Sequence, residues 1–135
     1  MMASLKNFAR RIQRRARQVE TGASQALRAT ALVINQTVIL ATPVDTGHAR
    51  ANWQVGIDTP IQEEIDEEDQ GGSATIGRNA GVIRGATIKK TIILSNNVPY
   101  IHKLNEGSSS QAPAQFVQLA VLEAITAVQK TRFFK

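Results

Sequence analysis

Three residues with complementary chemistry lie close together in one short segment of the chain: Asp45, His48 and Arg50. They could act as acid, base and anion-binding group, so one hypothesis is a small hydrolase or nuclease that uses His48 and Asp45. Their spacing matches no metal-binding or catalytic-triad pattern, and catalysis requires side chains that converge in space. We therefore favour a structural interpretation, in which Pro43, Asp45 and Gly47 form a turn and no residue is catalytic.

The other residues with reactive side chains lack the spacing of a recognised site. His102 is the only other histidine, and the chain has no cysteine, which excludes thiolate zinc sites and cysteine nucleophiles. The glycines from Gly77 to Gly85 lack the Lys-Ser/Thr pair of a phosphate-binding loop. We predict no metal site and no cofactor.

The turn is predicted from its residue types. An aspartate such as Asp45 can accept a hydrogen bond from the backbone two residues on, and Gly47 can adopt a positive φ. Thr42-Pro43 ends the preceding segment, because proline disfavours helix at the residue before it. Asp45 is therefore expected to stabilise the turn, with His48 and Arg50 as polar positions at the start of a strand.

Charge is distributed in two separate blocks. Six basic residues and no acid occur between Lys6 and Arg17, whereas six acids fall within seven residues. The acidic block consists of Glu63, Glu64, Asp66, Glu67, Glu68 and Asp69. Blocks of opposite sign indicate different surfaces or different neighbours.

A long helix is predicted over residues 4–41. Apolar residues such as Leu5, Phe8 and Ile12 form one stripe, and basic residues lie on the opposite face. Arg10, Arg14 and Arg17 are candidates for contact with phosphates or with a partner, so a DNA-binding module is a second hypothesis. The most apolar segment, 29–41, is too short to span a bilayer, so no membrane partner is predicted.

The rest of the chain predicts short strands and further helices in one domain, 1–135. A sheet region is expected over 51–104, with a strand at 51–58, a mobile acidic loop at 59–72 and a returning strand at 73–77. A short helix is expected at 79–87 and a further strand at 90–94. Pro113 predicts the start of a C-terminal helix over 113–131.

Two helical segments are apolar on most of their circumference, which exceeds what a small domain usually covers by itself. We therefore expect an obligate oligomer. The predicted interface residues are Leu32, Ile39, Leu40, Phe116, Leu119, Leu122 and Ile125.

Three segments, taken in order, resemble one protein family. The segment from Thr42 to Arg50 resembles the "TPVDTG" motif with its following basic residue in tail-completion, tail-terminator and neck proteins of long-tailed bacteriophages. Leu94 to Tyr100 resembles that family's "SNNLPYA" segment, and Gln111 to Ala114 resembles its "QAPAGM" entry to the last helix.

The resemblance implies an α+β fold, with a small antiparallel sheet packed by the first and last helices, in a non-enzymatic ring subunit. The ring would have six copies, with twelve as the alternative, and would lie at the head–tail junction of a virion assembled in the bacterial cytoplasm. Its partners would be further copies of the chain and the adjacent neck, connector and tail-tube proteins, with transient, non-specific proximity to genomic DNA. The acidic loop would then face the ring channel or a neighbouring ring.

Overall fold

The computed structural model describes residues 2–131, so the predicted domain span of 1–135 extends beyond the described residues at both ends. The helices and strands are α1 (Met2–Ala41), α2 (His48–Ala51), β1 (Trp53–Ile57), α3 (Ser73–Ile83), β2 (Ile92–Asn96), α4 (Ile101–Asn105) and α5 (Phe116–Gln129). No helix within 2–131 is both long and apolar enough to cross a membrane.

Helix α1 has two halves with different surroundings. It contains 40 residues, a length of about 60 Å at the usual rise of about 1.5 Å per residue. Its second half packs against α3 and α5, and Arg28 donates to the carbonyl oxygen of Ala86 at 2.8 Å. Every residue from 4 to 21 is exposed. We call this segment, residues 4–21, the arm.

Strands β1 and β2 form a two-stranded antiparallel sheet, in which Trp53 lies opposite Asn96 and Ile57 opposite Ile92. Trp53 joins a core cluster with Val38 and Ile39 of α1. Helix α5 turns Phe116, Ala120 and Ala124 inwards. The two alanines allow its backbone to lie close to neighbouring elements. The predicted α+β class, with a long first helix and a last helix around a small antiparallel sheet, is confirmed.

Two predicted strands are corrected by the structure. Residues 73–77 begin α3 rather than a returning strand, because the carboxylate of Asp69 binds the backbone N–H groups of Gly72 and Thr75 at that end of the helix. The helix expected at 79–87 therefore starts earlier and ends at Ile83. The strand expected at 51–58 starts at Trp53, because the chain first forms the helical turn α2 after Gly47.

The elements near the C-terminus are shifted by a few residues. Strand β2 occupies Ile92–Asn96 instead of 90–94. Helix α5 begins at Phe116 rather than at Pro113, because Gln115 has a φ of 62° and interrupts the helical backbone. His102 lies on the short helix α4.

Candidate functional site

The turn after α1 depends on Gly47, which has a φ of 92°. Its carbonyl oxygen accepts hydrogen bonds from the N–H groups of Ala51 and Asp69, both at 3.0 Å. A Cβ atom here would lie 2.5 Å from the backbone nitrogen of Gln70. Gly47 therefore permits both the left-handed backbone and the close approach of the acidic loop.

Arg50 joins three backbone segments. Its guanidinium group donates to the carbonyl oxygens of Leu40 at 2.9 Å, Thr42 at 2.9 Å and Gln70 at 2.7 Å. The first two are at the C-terminal end of α1, where carbonyl groups lack helical partners and a cation is favourable. All of these contacts go to backbone oxygens, so Arg50 acts as a link between α1 and the acidic loop.

His48 binds the acidic loop through both ring nitrogens. Nε2 lies 2.8 Å from Oε1 of Glu64, and Nδ1 lies 3.0 Å from the carbonyl oxygen of Glu67. Both neighbours are acceptors, so the protonated imidazolium satisfies both contacts. The hydrogen bond to Glu64 is the main cause that raises the pKa of His48 above 6.5, against a smaller opposing effect of burial.

The acidic loop, residues 59–72, is held in place mainly by side chains of other segments that bind its backbone N–H and carbonyl groups. The fully buried Asn52 donates to the carbonyl oxygen of Ile65 at 3.0 Å and accepts from its N–H at 2.8 Å. Gln54 donates to the carbonyl oxygen of Glu63, and Asn97 to that of Ile61. The expectation of a mobile loop is therefore corrected, because these contacts fix its path against α2 and the sheet.

The six acidic residues of this loop have different environments. Asp69 is half-buried and accepts from the N–H and the hydroxyl of Thr75, both at 2.8 Å, and these contacts hold its pKa below the usual value. Glu64 pairs with His48, and Glu67 lies 3.3 Å from Arg78. Within residues 2–131, the exposed side chains of Glu63, Asp66 and Glu68 form no ion pair. The outward charge of the loop therefore comes mainly from these three.

Asp45 does not have the role expected of it in the turn. The side-chain bond of this turn comes from Thr46, whose hydroxyl accepts from the N–H of His48 at 3.2 Å. Asp45 is exposed, and its carboxylate accepts no hydrogen bond from any described residue. Of the predicted turn residues, Gly47 has the expected positive φ, whereas Asp45 lacks the expected bond.

A cavity of about 250 Å³ lies between this turn and the region that comprises α4 and the segment after it. It is lined by residues 43–49 together with Tyr100, Leu104, Ser109 and Gln111. His48 reaches its edge, but both ring nitrogens are already bound to the acidic loop, and the Arg50 guanidinium is bound to carbonyl groups. No three metal-binding side chains converge in the part of the chain that the structure describes. This arrangement favours positioning of the loop over catalysis.

A buried polar network connects β1 to α1 and α3. Asn79 of α3 donates to Oδ1 of Asn35 at 2.9 Å and to the carbonyl oxygen of Trp53 at 2.8 Å. The indole N–H of Trp53 donates to the hydroxyl of Thr42 at 2.8 Å. Sequence reasoning missed Asn52 and Asn79. Asn52 stands between Ala51 and Trp53, and a polar side chain between apolar neighbours was the available signal, because buried amides require partners. Asn79 follows Arg78 and had no such signal.

The predicted interface residues fall into two groups. Leu40, Leu119, Leu122 and Ile125 are exposed, and Leu32 is half-buried. Ile39 and Phe116 are only 0% and 2% exposed. Both side chains pack inside the subunit and are not accessible to a partner. The prediction that they contribute to the interface is therefore corrected.

The arm carries both an apolar stripe and the basic block. Leu5 is 66% exposed and Ile12 is 52% exposed, and neither is covered by the rest of the subunit. Arg10, Arg14 and Arg17 are also exposed. Among residues 2–131 none of these three forms an ion pair. The arm therefore offers an apolar face and a cationic face to a partner.

Comparison with known proteins gives one family match. The model of a family described as "Bacteriophage HK97-gp10, putative tail-component" matches residues 6–107. This range includes most of the arm, the turn, the acidic loop and both strands. No curated protein and no solved structure matches the chain significantly.

Proposed function

The chain belongs to the HK97-gp10-like family of bacteriophage tail components, and from this premise we propose that it forms a ring at the head-proximal end of the tail or in the neck. Membership of the family supports a structural role in the virion and contacts with other phage structural proteins. The ring, its position and the absence of enzymatic activity are parts of the proposal.

The observation that carries the proposal is the amount of uncovered apolar surface. Leu5 and Phe8 on the arm, and Leu119 and Leu122 on α5, are each more than half exposed. Apolar patches of this kind mark protein–protein contacts, because leaving them in water is unfavourable. Repeated contacts between identical subunits close into a ring when the rotation between neighbours divides a full turn. We expect six copies, with twelve as the alternative.

The experiment combines the mass of the purified assembly with its location in virions. Class averages of the purified protein should show a closed ring, and its mass should correspond to six or twelve chains. Antibody labelling of phage particles should mark the head–tail junction. Because some rings assemble only on their platform, the mass should also be measured with the adjacent neck or tail protein. Absence of the chain from purified virions would overturn the proposed function.

Within such a ring, the acidic loop is proposed to face the channel or a neighbouring ring. The free carboxylates of Glu63, Asp66 and Glu68 would repel DNA phosphates and prevent the passing duplex from adhering. The interaction is short-ranged, because the screening length at physiological salt is about 8 Å. A solvated outer loop without a role is the competing interpretation.

A triple substitution tests this placement: Glu63→Gln, Asp66→Asn and Glu68→Gln. These side chains form no ion pair within 2–131, so the fold should be retained. Slower DNA ejection or packaging is expected if the loop faces the channel. Neutralisation of three other exposed charges, Arg84→Gln, Lys103→Gln and Glu106→Gln, is the matched control, because these side chains also form no ion pair within 2–131. Normal infection by the triple acidic variant would end the channel proposal.

The unpaired basic residues of the arm favour DNA binding as a second candidate function. If Arg10, Arg14 and Arg17 bind phosphates, duplex affinity should fall steeply as salt rises. Replacing all three with Gln should then weaken binding and flatten the salt dependence. Equal duplex affinity of wild type and variant would remove this alternative.

A further inference from the structure

We propose that the arm of one subunit docks on the outer face of α5 of a second copy. This inference deepens the proposed function, because the second copy would be the next subunit of the ring. The arm's contact residues are Leu5, Phe8, Ile12 and Val19. The receiving residues are Leu119, Leu122 and Ile125, which lie opposite the buried Phe116, Ala120 and Ala124.

The apolar stripe of the arm continues along α1 into the part of the helix that packs within the subunit. Beyond the arm, the same stripe reaches Ile34, which packs against the core cluster that contains Ala120 of α5. Helix α1 thus already packs along α5 within the subunit. The arm continues this apolar stripe past the point where α1 leaves its own α5. The α5 helix of a second copy could therefore pack against the arm as α5 packs against α1 within the subunit.

The lengths and shapes of the two helices are compatible. The apolar stripe from Leu5 to Val19 and the helix α5 each extend over about 21 Å, and the receiving residues occupy about 9 Å in the middle of α5. On α5, Leu119, Leu122 and Ile125 repeat at intervals of three residues and form one side of the helix. On the arm, Ile12, Ala16 and Val19 line an open apolar groove of about 670 Å³ next to Ile88. Side chains from a neighbouring helix could fill this groove.

Charge favours α5 over a second arm as the partner. Before residue 22 the chain carries six basic residues and one acid, Glu20, so pairing of two arms would bring two strongly positive segments together. Beside Leu119 and Leu122, the outer surface of α5 carries one acid, Glu123, and one base, Lys130. This face is therefore nearly neutral and repels a cationic helix much less than a second arm does.

In this arrangement each α5 lies between two α1 helices, its own on the inner face and the neighbour's on the outer face. Each subunit gives one arm and receives one arm. The contact is therefore head-to-tail, so both exposed faces are used in every subunit of a closed ring.

Two single variants test the contact: Ile12→Asp disables the arm and Leu122→Asp disables the receiving face. Both side chains are more than half exposed, so a wild-type helical circular dichroism spectrum and a cooperative thermal transition should confirm that each variant folds, while loss of assembly itself lowers the melting temperature. Each variant alone is expected to be monomeric. An equimolar mixture should form a heterodimer and nothing larger, because one intact contact remains. Asn7→Asp and Ser108→Asp, which add the same charge at exposed positions off these faces, should assemble like wild type.

Disulfide trapping tests the same contact even if it is weak. The natural chain has no cysteine, so Phe8→Cys and Leu122→Cys each carry a single thiol. After mixing and oxidation, the mixed disulfide should exceed either homodisulfide several-fold. Predominance of the Phe8→Cys homodisulfide would overturn the inference in favour of arm–arm pairing, as would trapping no greater than that of Ser108→Cys.

Two further outcomes separate this inference from its alternatives. If Ile12→Asp abolishes binding to anionic phospholipid vesicles but leaves the oligomer mass unchanged, the arm is a membrane-surface helix and the inference fails. If trapping fails while the wild-type chain is present in virions, the inference fails but the proposed function stands. If trapping succeeds and the chain is absent from virions, the proposed function fails alone.

Discussion

His48 and Glu64 form an ion pair between α2 and the acidic loop, with Nε2 2.8 Å from Oε1. The pKa of His48 is raised above 6.5, principally by this bond. A raised pKa means that the folded state binds the proton more tightly than the unfolded state does. The resulting stabilisation is complete below the unfolded pKa of about 6.5 and is lost as pH rises through the folded pKa.

The first prediction concerns this pH dependence. The free energy of unfolding of wild type should fall relative to His48→Gln as pH increases from about 6 to about 8.5. Because both side chains are partly exposed, the difference should not exceed about 1 kcal/mol. Urea unfolding at several pH values measures it. His102→Gln, at an exposed histidine on α4, is the matched control; an equal slope for the two variants would contradict the prediction.

The second prediction concerns Gly47, whose φ of 92° is unfavourable for a side chain. Gly47→Val should destabilise the fold by at least about 1–3 kcal/mol from backbone strain, with a further cost from the contact with Gln70. Thermal unfolding followed by circular dichroism gives the difference. In Gly77→Ala, the added Cβ meets nothing within 4 Å, and helix propensity should raise stability by about 0.5–1 kcal/mol. If Gly47→Val melts like wild type, the turn geometry described here is incorrect.

The third prediction compares two aspartates with the same formal charge. Asp69→Asn should cost about 0.5–2 kcal/mol, because its carboxylate binds two N–H groups at the start of α3. Asp45→Asn should change stability by less than about 0.5 kcal/mol, because its exposed side chain has no hydrogen bond within 2–131. Denaturant midpoints measure both. The result would be contradicted if Asp45→Asn were the more destabilising of the two.

The carboxylate of Asp69 should also make the stability of the fold decrease in acid. The pKa of Asp69 is lowered below 3.8, chiefly by the backbone hydrogen bond from Thr75. Its contribution is therefore present above the unfolded pKa and is lost as pH falls through the folded pKa. The stability difference between wild type and Asp69→Asn should shrink below about pH 4. A difference that stays constant down to about pH 2 would exclude this cause.

The fourth prediction concerns the buried amide of Asn79. Asn79→Ala removes the donor to Asn35 and leaves a buried oxygen without its partner, which should cost about 1–3 kcal/mol. Asn7→Ala, on the exposed arm, should be nearly neutral. Guanidinium unfolding of the two variants would show the contrast. Equal stability would mean that water enters the site and replaces the lost bond.

Local patterns in the sequence predicted the long helices well. Helix α1 ends one residue before Thr42 as expected, because the break at Pro43 is a property of neighbouring residues alone. The segment 73–77 was assigned wrongly, because its helical start depends on Asp69. The bonds that fix the acidic loop, from Asn52 to Ile65 and from His48 to Glu64, join residues 13 and 16 positions apart. Hydrophobic periodicity within a helix or strand does not predict bonds between residues this far apart in the sequence.

The way in which the acidic loop is anchored leaves its outer side chains free to vary. Asn52, Gln54, Arg50 and Asn97 bind the loop through its main-chain groups, so these contacts do not depend on which side chains the loop carries. Positions 63, 66 and 68 can then exchange charge, size or polarity without altering the path of the backbone. The subunit thus separates a fixed framework from a variable outer surface, which can be adapted to a different neighbour at little cost in folding stability.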